Sequence, residues 1–124
     1  MKYHDFHLRS YVVSDFGKRI TLDLVSDLSS APEVSTIEFT DVIAYRFVHT
    51  GGSIIIDISE DTFLRATNET LLSFSEAMNS LGGLSFREAD GAGYQRRFEE
   101  MGYRTWTIIS AIGFVGFVVC KTVR

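Results

Sequence analysis

The chain has 124 residues, 45% of them hydrophobic, and carries a formal net charge of -4 with a pI near 5.3. This length and composition fit one domain with its own apolar core, so we expect a single domain over residues 1–124. The basic residues are scattered rather than clustered, which argues against nucleic acid as a partner, because backbone phosphates dominate that kind of affinity. The single cysteine excludes an internal disulfide.

Two features of the chain bear on where it works. Met1 is followed by a polar segment and not by an apolar stretch, so we expect no signal peptide. The longest apolar run, residues 108–120, is interrupted by Ser110, Gly113 and Gly116 and is shorter than the ~20 residues that a membrane-spanning helix needs. We therefore expect a cytoplasmic protein with no membrane partner, in which this run is a buried strand.

The first half of the chain predicts four strands, because apolar and polar residues alternate with period two. Residues 5–13 and 20–24 form a hairpin around a turn in which Gly17 is free to take a positive φ. Residues 37–48 form a long third strand and residues 54–58 a fourth, and Gly51 and Gly52 close these two strands into a second hairpin.

Asp41 interrupts the alternation of the third strand. If the period held across it, its carboxylate would point into the core, and a lone buried carboxylate is costly. We therefore expect a bulge or bend near Thr40 and Asp41 that turns this side chain outward.

Two helices and two further strands follow. Ser59 suits a helix N-cap, with Glu60 and Asp61 in the first turn near the positive helix end. Apolar residues then recur at helical spacing, which predicts one helix or two shorter ones up to residue 81. The stripe consists of Leu64, Leu71, Phe74, Met78 and Leu81, and a second, shorter helix has Tyr94, Phe98 and Met101 on one face and ends at Gly102. Residues 103–110 and 114–123 close the chain as a hairpin.

The resulting order of elements, ββββ-α-α-ββ, predicts an α+β domain. Consecutive hairpins favour a curved antiparallel sheet of about six strands, similar to a half-barrel, with the helices packed on one side.

The pattern of reactive residues predicts no catalytic centre and no metal site. His4 and His7 would face opposite sides of a strand, and His49 lies at a strand end, so no set of metal ligands is complete. Cys120 follows an apolar strand and is expected to be buried and unreactive. We therefore expect no enzyme activity and no cofactor, and an enzyme with unrecognised catalytic residues is the third-ranked hypothesis.

Gly91 and Gly93 open the second helix, and Arg96 and Arg97 follow. A phosphate could bind at such a helix start. No complete G-x-G-x-x-G motif is present, however, so we interpret the segment as a loop.

Carboxylates gather in two places. Asp57, Glu60 and Asp61 lie where the fourth strand meets the first helix, and Glu99 and Glu100 lie at the end of the second helix. The simpler interpretation is compensation of helix dipoles and ordinary solvated surface. The functional alternative is an acidic docking surface that steers a basic protein partner, and we take these five residues as the candidate partner-binding residues.

The segment IEFTDVIAYRFVHTGGSIIIDISE, together with the C-terminal AIGFVGFVVC, resembles small bacterial immunity proteins of polymorphic-toxin and contact-dependent growth inhibition systems. The similarity lies in the layout of hairpins around a variable helical middle, and no motif of functional residues accompanies it. The resemblance implies a cytoplasmic protein that binds and neutralises one cognate protein toxin, often a nuclease, without catalysis or a cofactor.

The first function hypothesis is therefore a stoichiometric binding protein that neutralises a cognate toxin, such as a basic nuclease domain. The alternative is a carrier of a small apolar ligand, because ten phenylalanines, five tyrosines and one tryptophan could line the cavity of a curved sheet. The oligomeric state does not follow from the sequence.

Overall fold

The computed structural model describes residues 6–27, 29–50, 55–69, 84–110 and 113–124. Within these ranges the chain forms eight strands and two helices. The strands are β1 (Phe6–Ser14), β2 (Arg19–Val25), β3 (Val34–Thr40), β4 (Ala44–His49), β5 (Ile55–Asp61), β6 (Arg104–Ser110), β7 (Phe114–Cys120) and β8 (Thr122–Val123). The helices are α1 (Phe63–Glu69) and α2 (Gly91–Glu100).

All eight strands belong to one open antiparallel sheet with the order β4-β7-β6-β5-β1-β2-β3-β8. β7 and β8 are separated by Lys121 alone, yet β7 lies second in this order and β8 lies last. The two ends of the sheet therefore approach each other, and the sheet curls around its own inner face without closing.

That inner face holds the larger of two apolar clusters, which we call the inner core. It includes Leu8, Ile20, Leu22, Leu24, Ile37, Phe39, Val42, Ile56, Ile58, Ile108, Phe114, Val118 and Cys120. The second cluster, the helix-side core, joins the helices to the opposite face of the sheet through Ala44, Phe63, Ala66, Tyr94, Phe98, Phe117 and Val119.

β7 contributes to both cores, because successive side chains of a strand point to opposite faces. Val118 and Cys120 enter the inner core, whereas Phe117 and Val119 enter the helix-side core. A strand covered on both faces has a near-continuous apolar sequence. The long apolar run is divided between two strands, because residues 108–110 end β6 and residues 114–120 form β7. The position of β7 between the two cores explains the apolar sequence of its part of the run.

The N-terminal half bears out several local predictions. β1 and β2 form the predicted hairpin, and Gly17 has a φ of +87°. The predicted bend also exists, since β3 ends at Thr40 and the next residue, Asp41, has a φ of +53° and is exposed.

The fold class, α+β with an antiparallel sheet, is confirmed, but the strand number and order are wrong. Five strands precede the helices and three follow them, instead of four and two. The long third strand divides into β3 and β4 at the bend, and β8 is an additional short strand. The predicted second hairpin is also wrong, because β7 and β6 lie between β4 and β5 in the sheet. Gly51 and Gly52 themselves lie outside the described residues.

The first helix begins later than predicted. Ser59, Glu60 and Asp61 are part of β5, because their backbone pairs with β6 as far as Asp61 and Thr105. The cap is Thr62, whose Oγ1 accepts a hydrogen bond from the backbone N–H of Arg65 at 3.3 Å. The predicted apolar stripe is only partly described: Leu64 is 39% exposed while Phe63 and Ala66 are buried, and the stripe residues beyond it lie outside the described residues.

The second helix agrees with the prediction more closely. Tyr94 and Phe98 are buried on one face, whereas Met101 is 40% exposed. The chain leaves the helix at Gly102, which has a φ of +86°. Neither of the helices in the described ranges is long and apolar enough to cross a membrane.

Candidate functional site

Three of the five predicted acidic residues lie at the junction of β5, α1, α2 and β6. Glu60, Asp61 and Glu99 line one small cavity of about 80 Å³. Asp57 lies four residues before Asp61 on β5, on the same face of that strand, and is exposed, as is Glu100 at the end of α2. The structure thus brings three of the five predicted residues to a common site.

Basic side chains compensate part of this negative charge. The side chain of Glu60 lies 3.4 Å from a guanidinium nitrogen of Arg104, and that of Asp61 lies 3.6 Å from Arg65. Asp61 also accepts a hydrogen bond from the backbone N–H of Thr62 at 2.8 Å. The junction is therefore a mixed surface with charges of both signs, and we call the five carboxylates the acidic surface.

The histidines are predicted not to form a metal site. The described ranges contain no group of three or more His, Cys, Asp or Glu side chains that could hold a metal ion. His49 packs its ring against Tyr11 and Phe114, with ring centroids 5.9 and 5.5 Å apart. His4 lies outside the described residues.

Cys120 occupies the inner core, as predicted. Its side chain is fully buried, and this burial raises the pKa of the thiol to about 12, with the charge of Asp41 adding to the increase. A thiol with such a pKa is protonated at neutral pH, and the thiolate is the nucleophilic form. The chemistry of Cys120 is therefore that of an apolar core residue.

The start of α2 is already occupied by carboxylates. The side chain of Asp90 accepts a hydrogen bond from the backbone N–H of Gly93 at 2.8 Å, and Glu88 packs beside the same glycine. Glu88 in turn lies 3.3 Å from Arg97. The interpretation of this segment as a loop is wrong, because Gly91 and Gly93 lie in the first turn of α2. Carboxylates of this chain, and not an external anion, lie at that helix start in the structure.

Among the described residues, the most exposed aromatic side chain is one that the sequence analysis did not single out. Phe16 is 101% exposed at the tip of the β1–β2 hairpin. Asp15, Phe16 and Gly17 all have positive φ values, of 53°, 56° and 87°. We call these three residues the hairpin tip. The available signal was the residue type, because a large aromatic residue is unusual at a turn position that favours Asn, Asp or Gly.

Further exposed apolar side chains lie on β1 and β4, two strands that are not adjacent in the sheet. Val12 and Val13 on β1 are 58% and 37% exposed, and Val48 on β4 is 38% exposed. A groove of about 380 Å³ separates these strands and is lined by Tyr11, Val13, Tyr45, Arg46 and Phe47. The Tyr11 and Phe47 rings meet edge to face with centroids 5.2 Å apart, which holds the groove floor in place.

A further cavity lies where β8 and β6 approach each other. It has a volume of about 570 Å³. Its described lining consists of Ile37, Gly102, Arg104, Trp106, Lys121, Thr122, Val123 and Arg124.

Comparison of the chain with protein-family models, curated proteins and solved structures finds no match in any of the three.

Proposed function

We propose that this chain is a stoichiometric protein-binding protein that neutralises a cognate bacterial toxin. The observation that carries the proposal is the hairpin tip. A non-glycine residue in the left-handed region costs roughly 1–2 kcal/mol, and both Asp15 and Phe16 occupy that region. Strained backbone that presents a fully exposed aromatic ring favours a binding role, because buried aromatic anchors dominate protein interfaces.

The surroundings of the tip support this role. Val13, two residues before the hairpin tip, is 37% exposed and lines the groove together with Tyr11 and Phe47. Exposed apolar surface beside an aromatic anchor is typical of interaction sites. In the proposed complex Phe16 enters an apolar pocket of the toxin. The acidic surface then acts at longer range, steering a basic toxin domain towards the complex and fixing its orientation.

The experiment begins with the gene beside the one that encodes this chain. We expect that gene to encode a secreted toxin whose C-terminal domain binds this protein at a 1:1 ratio and is inhibited by it. A neighbouring metabolic gene, or a toxin domain that stays active in the presence of excess protein, would contradict the proposal.

Binding kinetics then separate the two surfaces. Phe16→Ala should raise the dissociation rate and weaken binding about 30-fold, because it removes the anchor after the complex has formed. Reversal of Asp57, Glu60 and Asp61 to lysine should instead slow association about tenfold at low salt. Val34→Ala is the control for the first variant, since Val34 is 53% exposed and lies at the start of β3. The double reversal of Asp27 and Glu33, both exposed, is the net-charge control for the double reversal of Asp57 and Glu60, because both variants change two carboxylates to lysine. Unchanged association after the triple reversal would remove the acidic surface from the proposal.

A second candidate function is the alternative given in the sequence analysis, a carrier of a small apolar ligand in the cavity of the curved sheet. The cavity of about 570 Å³ favours it, because this volume lies within the ~300–1,000 Å³ typical of ligand sites. In this candidate the half-barrel-like sheet holds the ligand at its open side. Native mass spectrometry of the purified protein tests it: co-purified ligand supports a carrier, and an empty chain counts against it.

A further inference from the structure

The 570 Å³ cavity has an apolar floor. Ile37 is buried, with 1% of its surface exposed, and Trp106 and Val123 are half-buried and pack against the inner core. These three side chains come from β3, β6 and β8, so the floor forms only because the curled sheet brings β6 close to β3 and β8. A flat aromatic ring beside two branched side chains suits a hydrocarbon or an aromatic body.

The rim of the cavity is cationic. Arg104, Lys121 and Arg124 are exposed, and among the described lining residues every ionisable side chain is basic. This concentration stands out in a chain whose net charge is -4. We call these three side chains the cationic rim.

The rim keeps hydrogen-bond donors available. Arg104 approaches Glu60 at 3.4 Å, and Arg124 approaches Glu38 at 3.9 Å, both at distances longer than a strong charged hydrogen bond. Each guanidinium has five N–H donors, so one long ion pair leaves several for a ligand. The ammonium of Lys121 lies 5.1 Å from the ring centroid of Tyr103, a contact that positions its charge without pairing it with a carboxylate.

We infer that this cavity binds a small organic anion, with a carboxylate head on the cationic rim and an apolar body on the floor formed by Ile37, Trp106 and Val123. The inference rests on the carrier candidate and specifies its ligand class. A bare inorganic anion would leave the floor empty, and a neutral apolar molecule would leave the rim unused. The combination of both features in one cavity selects an amphipathic anion.

Trp106 supplies the readout, because it is the only tryptophan in the chain and lies in the cavity. We would titrate the full chain with laurate and follow the tryptophan emission. Dodecanol, dodecyltrimethylammonium and inorganic phosphate serve as the neutral, cationic and headgroup-only probes. The inference predicts a saturable 1:1 change with laurate, weaker binding of dodecanol, and no binding of the cationic probe.

Rim variants test the role of the charges. Lys121→Gln and Arg124→Gln should each weaken laurate binding about two- to fivefold, because this is the contribution of an exposed ion pair to affinity. The double variant should weaken binding about tenfold. Binding should also weaken as salt is raised. Dodecanol affinity should stay constant in every rim variant. Arg96→Gln is the matched control, since Arg96 is exposed on α2 and is not among the described lining residues.

The outcomes separate the two levels of the inference. Equal affinities for laurate and dodecanol, unaffected by the rim variants, would overturn the anion assignment while the carrier candidate stands. If the protein binds neither laurate nor dodecanol, both the anion assignment and the carrier candidate are overturned. Val123→Glu provides a second check, because a carboxylate on the floor should abolish laurate binding, and a circular dichroism spectrum confirms that this variant is folded.

Discussion

At the scale of single residues, Gly116 is a point at which the backbone of β7 lies directly against the backbone and an aromatic ring of β4. It lies in β7 opposite Phe47 of β4. A Cβ atom added at Gly116 would lie 2.5 Å from the carbonyl oxygen of Arg46 and closer still to the Phe47 ring. Neither obstacle is the far end of a flexible side chain, so a side chain here would have to push β4 outward.

Gly116→Ala should therefore destabilise the fold by about 2 kcal/mol, within the range of overpacked cores. Urea unfolding measures this loss as a lower free energy of unfolding. Gly102→Ala is the comparison, because its added Cβ would have no atom within 4 Å and only its φ of +86° opposes the change. That variant should cost about 1 kcal/mol. Equal losses in the two variants would show that steric contact at Gly116 is not decisive.

Residue environments that depend on local pattern were predictable. The outward turn of Asp41 followed from the cost of burying a lone carboxylate, and the burial of Cys120 followed from its apolar strand. The exposure of Phe16 was not predictable in this way, because hydrophobicity alone places a phenylalanine inside. Its position results from the left-handed backbone of Asp15 and Phe16, which no residue type prescribes.

At the scale of elements, strand pairing decided where the first helix begins. Ser59 with two following acidic residues is a good local signal for a helix start. In the structure, however, Glu60 pairs with Trp106 and Asp61 with Thr105, so the backbone of these residues belongs to the sheet. The partner strand is more than forty residues away in the chain. A local capping pattern cannot contain that information.

The start of α2, in contrast, is determined locally by Asp90. Its side chain caps the helix through a 2.8 Å hydrogen bond from the backbone N–H of Gly93, and Tyr94 and Phe98 then anchor the helix in the helix-side core. Asp90→Ala should lower the free energy of unfolding by about 1 kcal/mol. Asp90→Asn retains an acceptor and should lose much less. If both variants lose the same amount, the charge of Asp90 and not its hydrogen bond stabilises the helix.

At the scale of the whole molecule, the sequence predicted neighbours in the chain better than neighbours in the sheet. The β1–β2 and β6–β7 pairs are the hairpins expected from alternation and short connections. The pair expected across Gly51 and Gly52 does not form, because β4 pairs with β7 and β5 with β6. The inserted strands come from the last twenty residues or so of the chain, and their pairing maximises burial on both faces of β7. The alternation of apolar and polar residues identifies a strand and its buried face. It does not specify which distant strand pairs with it.

The seam between β3 and β8 depends on the same long-range pairing, and it brings the ends of the sheet together. Arg124 donates its backbone N–H to Glu38 at 2.9 Å and accepts one from Glu38 at 3.0 Å. Lys121 donates to Thr40 at 3.3 Å. Deletion of residues 122–124 should lower the free energy of unfolding by about 2–3 kcal/mol, because backbone hydrogen bonds contribute roughly 1 kcal/mol each and Val123 no longer covers the inner core.

Hydrogen exchange locates the effect. The amide of Glu38 should lose protection in the deletion variant, whereas the amides of β4, which pair with β7, should change only as far as global stability falls. Thr122→Ala is the control, since Thr122 is exposed and its backbone pairing with Thr40 survives the substitution. Removal of β8 also exposes the edge of β3, so the deletion variant should self-associate at high concentration, as uncovered strand edges do. If the exchange protection of the Glu38 amide stays unchanged in the deletion variant, β3 is held by β2 alone. The approach of the sheet ends then does not depend on β8.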